Sequence, residues 1–150
     1  MRKSAHRFVL TIAIGLAVLA TGARAADTVP SRDAPDLTAV RAMLKAKNYD
    51  GALRQLTPMQ AQYDNADVHN LLAFSQRKTG DRVNAMANYK RALVLNANHK
   101  GALEYQGELY VELGQLDNAR GNLAKLTKLC PSGCEELGDL KAAIDHAPKS

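Results

Sequence analysis

The chain has 150 residues, a formal charge of +5, 5% aromatic residues, no tryptophan and two cysteines. That length allows one ordinary core, and the shortage of aromatics beside abundant alanine and leucine argues against sheets, which favour aromatic and β-branched side chains. The positive charge belongs mainly to one end, so a nucleic acid or an anionic membrane is not the implied partner.

Residues 1–25 hold that charge. Arg2, Lys3 and Arg7 precede an apolar run from Phe8 to Ala20, and Ala23-Arg24-Ala25 supplies small residues for cleavage after Ala25. As a helix the run spans roughly 20 Å at about 1.5 Å per residue, short of a bilayer core of roughly 30 Å, so a cleaved secretory signal is expected, with no stable membrane span. No cysteine follows the run to accept a lipid. Losing Arg2, Lys3, Arg7 and Arg24 from the 20 basic residues leaves 16 against 15 acidic ones, and the formal charge falls from +5 to +1. The implied location is the periplasm. Residues 26–35, with Pro30 and Pro35, read as a flexible leader.

From there to residue 147 the chain repeats at an offset of 34. Gly80 and Gly114, Asn84 and Asn118, Ala85 and Ala119, Tyr89 and Leu123, Leu95 and Leu129, and Ala73 and Gly107 all align. A period of this size indicates stacked helix pairs, here over about 33–65, 66–99 and 100–133. In the first unit Tyr49 and Ala52 follow a turn in which Lys47 takes the glycine position. Pro58 costs about 3 kcal/mol in a helix interior and predicts a break or kink at Thr57. Gly80 and Gly114 end helices in the left-handed conformation that glycine enters without strain. Ala73 and Gly107, facing Ala85 and Ala119, let the two helices of a pair approach closely. Leu116, Ala119, Leu123, Leu126 and Cys130 form one helical stripe, and Leu137, Leu140, Ile144 and Ala147 another on a capping helix over 134–147.

Leu72, Ala73, Gly80, Ala85, Tyr89, Ala92 and Leu93 in the second unit, and Gly107, Tyr110, Gly114, Ala119 and Pro131 in the third, resemble the tetratricopeptide repeat family. The ending CPSGCEELGDL is similar to that of small exported bacterial repeat proteins. The resemblance implies an all-α, right-handed superhelix of about three hairpins with a C-terminal capping helix. It also implies a concave groove lined by the first helix of each pair. Carried onto this sequence, the groove positions are Leu37, Arg41 and Lys45, then Asn70, Phe74 and Lys78, then Glu104, Glu108 and Glu112. Glutamates four residues apart on a helix repel by about 0.2 to 0.5 kcal/mol per pair, a cost that a cationic partner would relieve, while a plain solvated face is the alternative. Phe74 suits an apolar anchor or burial between first helices. Met43, Met59 and Met86 read as core filler, and Tyr49, Tyr89 and Tyr110 as packing residues.

Cys130 and Cys134 both face the seam between the last repeat and the cap, and in an oxidising compartment they are expected to pair as a staple. Closing so short a loop contributes about 2 kcal/mol in the chain-entropy model. Their spacing is not that of a thioredoxin-like C-x-x-C, and His69, His99 and His146 stand singly, so no metal or other cofactor is expected. No nucleophile motif, phosphate loop or zinc-protease motif is present, and an enzyme is not implied. The expected function is a periplasmic adaptor or scaffold binding a peptide or helix of an envelope partner in its groove. The alternative is a thiol or copper-handling accessory protein acting through Cys130 and Cys134, and end-to-end self-association is a third possibility.

Overall fold

The computed structural model describes residues 35–148, so the signal segment and the leader up to residue 34 lie outside the described residues. Seven helices are present among them: α1 Thr38–Lys45, α2 Tyr49–Gln62, α3 Ala66–Lys78, α4 Arg82–Leu95, α5 Lys100–Glu112, α6 Leu116–Leu129 and α7 Glu135–Asp145. Each packs on the next as consecutive antiparallel pairs, and α7 closes the array against α5 and α6. The all-helical expectation holds. No described helix is long and apolar enough to cross a membrane.

The three turns inside the pairs share one hydrogen-bond pattern. Asn48 N–H donates to the Met43 carbonyl, Asp81 to Gln76 and Gln115 to Tyr110, at 2.9, 2.8 and 2.8 Å. One residue earlier, Lys47, Gly80 and Gly114 donate to Leu44, Arg77 and Val111. This is the Schellman arrangement, which requires a left-handed residue at its centre. Gly80 and Gly114 have φ of 94° and 72°, and Lys47 adopts 58°. The first turn therefore carries the strain that glycine avoids in the other two. The next residue starts the following helix: the Asn48 side chain accepts from Gly51 N–H at 2.9 Å and that of Asp81 from Asn84 N–H at 3.1 Å, each satisfying a donor that the helix leaves free.

Of the break or kink expected at Thr57, the break does not occur, and α2 runs on through Pro58 to Gln62. Pro58 removes a hydrogen bond to the Arg54 carbonyl, but both residues lie on the exposed side, where water can replace it. Leu53, Leu56 and Met59 keep the other side packed.

The core forms three clusters along the array. The first joins Leu37, Val40, Ala52, Leu56, Val68, Leu71 and Leu72, the second Ala73, Ala85, Tyr89 and Leu109, and the third Leu103, Leu126 and Leu140. Met43 and Met59 pack against the first and Met86 against the second, as core filler should. Gly107 serves a different helix from the one expected. A Cβ there would lie 2.6 Å from both terminal methyls of Leu140, so the missing side chain admits α7.

Buried polar groups accompany these clusters. His69 Nδ1 meets Asn88 Oδ1 at 2.8 Å, and Asn88 Nδ2 donates to Gln76 Oε1 at 2.9 Å. In the third pair Asn122 Nδ2 donates to Gln106 Oε1 and to the Leu103 carbonyl, each at 3.0 Å. Removing one partner from such a buried contact costs about 1 to 3 kcal/mol, so the two asparagines hold helix to helix as the apolar residues do.

Candidate functional site

On the face expected from the first helices, α3 packs directly on α5 and α5 on α7. At its amino-terminal end Arg41 and Lys45 are exposed, and Arg41 reaches Asp67 of α3 at 3.8 Å. Leu37 is not on the face. It precedes α1 and is buried in the first core cluster.

The centre of the face is aromatic. Phe74 is half-buried, its ring centroid 4.8 Å from that of Tyr105 and 6.1 Å from that of Tyr49. Lys78 Nζ stands 5.2 Å from the Phe74 centroid, within cation–π range. Phe74 packs between neighbouring aromatics and remains partly exposed. Asn70, one turn earlier, is only 5% exposed, and its Oδ1 has no hydrogen-bond partner. Its Nδ2 would lie 3.3 Å from a Cβ on Gly101, so a side chain at that position would crowd it.

The three glutamates of α5 are in three different situations. Arg77, whose side chain is 7% exposed, donates from Nη1 to Glu108 Oε2 at 2.5 Å and from Nε to Glu112 Oε1 at 2.8 Å. Arg82 adds a contact to Glu112 at 3.4 Å. The repulsion that seemed to call for a cationic partner is therefore relieved inside the molecule for Glu108 and Glu112. Glu104 is 6% exposed and has neither an ion pair nor a hydrogen bond among the described residues. Burial, and then the nearby Glu108, Asp139, Glu136 and Glu135, push its carboxyl up to about 8. A carboxyl in that state holds its proton at neutral pH. The Tyr105 hydroxyl is pushed up to about 12, chiefly by burial and then by Glu104 and Glu108.

An open concavity of about 480 Å³ lies where α3, α5 and α7 begin, bordered by Asp67, His99, Lys100, Gly101 and Glu136. His99 accepts from Ala102 N–H at 3.1 Å and meets Asp67 at 3.0 Å, which makes it a helix cap.

Cys130 and Cys134 are paired at disulfide distance, their Cα atoms 5.8 Å apart. Cys134 is the residue before α7, so the pair ties the end of α6 to the start of α7. The Glu136 carboxylate lies within 4.8 Å of both sulfurs, the one group of potential metal ligands of this kind among the described residues. Three ligands fall short of a closed four-coordinate site, and paired sulfurs lack the thiolates a metal needs. His69 is engaged by Asn88 and Asp64, and exposed His146 ends α7.

Arg77 and Tyr105 belong to this face without having been singled out. Each meets its partner across two helices, and no spacing within one helix signals such a contact. No protein-family model matches the chain, and no curated protein matches it.

Proposed function

We propose that this protein is an exported, periplasmic adaptor of the tetratricopeptide type that holds an extended segment or helix of an envelope partner along the face of its first helices. The half-exposed Phe74 and Tyr105 rings, with Lys78 beside them, carry this reading. Partly exposed aromatic side chains are frequent anchors at the centre of docking surfaces. Arg41 and Lys45 make one end of the face basic, and the Glu104 end is acidic, which would give a bound segment a direction. The paired cysteines fit an oxidising compartment.

Chemical cross-linking in envelope extract, with the wild-type chain beside Phe74→Ala and Lys78→Ala variants, tests it. Partners lost from both variants support the groove, and an identical partner set in all three sinks it. The thiol-handling alternative draws on the Cys130, Cys134 and Glu136 grouping. Its test is a thiol titration of the purified protein: sulfurs that stay unreactive under mild reductant eliminate it.

A further inference from the structure

Resting on that groove reading, we propose that the recess around Glu104 seats one basic side chain, lysine or arginine, of the segment that docks along α3 and α5. Two acceptors in this region lack donors. Glu104 is a nine-tenths buried residue whose carboxyl oxygens still touch solvent and have no partner among the described residues, and Asn70 Oδ1, closed to solvent, has none either. Asn70 lies against Gly101, one turn from Glu104 along α5. The Glu104 carboxyl gains from the N–H groups that an ammonium or guanidinium brings.

The surroundings are acidic beyond what the fold requires. Glu135 and Glu136 occupy the first turn of α7, where the helix dipole favours them, and Glu108 is matched by Arg77. Asp139, further along α7, has neither justification, and all four carboxylates act on Glu104 through their charge. Tyr105, adjoining the carboxyl, and Phe74 offer apolar surface for the aliphatic stem of a lysine or arginine.

A bare metal ion suits the recess poorly. Among the described residues no three of these carboxylates bring their oxygens within 4.8 Å of one another, whereas a guanidinium reaches separated acceptors with its own fork of donors. On docking, Glu104 gives up its proton to solvent and the carboxylate pairs with the arriving cation. Affinity therefore rises with pH up to about 8, with Glu108, Glu135, Glu136, Asp139 and Tyr105 as the other titratable groups facing the recess.

Panning a random peptide display library against the full chain tests this. The expected binders are lost on Phe74→Ala and carry a recurrent arginine or lysine. Replacing that residue by citrulline or norleucine, or making Glu104→Gln, weakens binding about tenfold or more, and the two changes together cost little beyond either alone. Asp139→Asn, on the exposed side of α7, weakens binding less, and the fully exposed Asp117→Asn leaves it unchanged. Binders that need Phe74 but show no basic preference, or keep full affinity in Glu104→Gln, overturn the recess while leaving the groove standing. A library that yields no Phe74-dependent binder overturns the groove reading and the recess with it. Calcium or zinc alone, shifting the side-chain carboxyl resonance of Glu104 at micromolar concentration, assigns the recess to a metal and also overturns the proposal.

Discussion

Replacing Glu104 by glutamine should make the protein more stable at alkaline pH and leave it nearly unchanged at acidic pH. An acid whose folded value is raised binds its proton more tightly in the folded chain than in the unfolded one. The stability this gives is complete below the unfolded value of 4.5, is lost progressively as the pH rises toward the folded value of about 8, and levels off above it. Without solvent screening that rise is worth at most roughly 5 kcal/mol, at about 1.4 kcal/mol per pH unit. Three of the four neighbouring carboxylates lie on α7, where Glu135 and Asp139 are exposed, and solvent screens their contribution, so about 2 kcal/mol is the expected gap. Urea unfolding followed by helical circular dichroism at several pH values between about 4 and 9 measures it. Asp36, Asp64 and Asp145 are held low by their hydrogen-bond partners and lose stability in acid. Those losses are common to both proteins and cancel in the difference. A gap independent of pH, or a wild-type chain that gains on the variant between pH 5 and 8, would refute an uncompensated buried carboxyl.

Other substitutions probe the packing. Arg77→Met leaves Glu108 and Glu112 facing each other without their shared cation and should cost roughly 2 to 3 kcal/mol in urea midpoint experiments; Arg77→Lys, lacking the two-armed geometry, should recover only part. Gly107→Ala puts a methyl against Leu140, and overpacking of about 1 to 3 kcal/mol exceeds the gain of about 1 kcal/mol in helix propensity, so the variant should unfold earlier. Gly121→Ala, in open space on α6, should unfold later by about 1 kcal/mol. Reducing the Cys130–Cys134 pair should lower stability by about 2 kcal/mol or less. Limited proteolysis should then cut first beyond residue 130, because the pair tethers only α7.

The pairing of helices was legible because glycine at 80 and 114 marks turns that only a left-handed residue closes. Lys47 could be placed at the equivalent position by register even though its side chain gives no hint of φ 58°. Pro58 misled over the break because the carbonyl it leaves free is open to water, and sequence does not say which side of α2 that is. Asn88 and Asn122 were readable in principle, being 34 residues apart like the aligned pairs, but polar residues in an amphipathic pattern look like surface. The acidic row of α5 was visible, while its neutralisation was not: Arg77 lies 31 residues before Glu108 and joins it only once α3 lies beside α5. Register assigns residues to a face. Which charges meet across helices depends on side-chain reach, and for that reason the row dissolved into a clamp and one solitary carboxyl.

Asn48, Asp81 and Gln115 each finish one helix and begin the next, so the hairpin bends contain no spare residue. An insertion at any of them would rotate everything downstream out of alignment with its neighbours. The joints between hairpins, after Gln62, Leu95 and Leu129, differ in length. Lengthening of this array by gene duplication would thus proceed by copying whole units cut at those joints, and new binding positions would arise in steps of one complete hairpin.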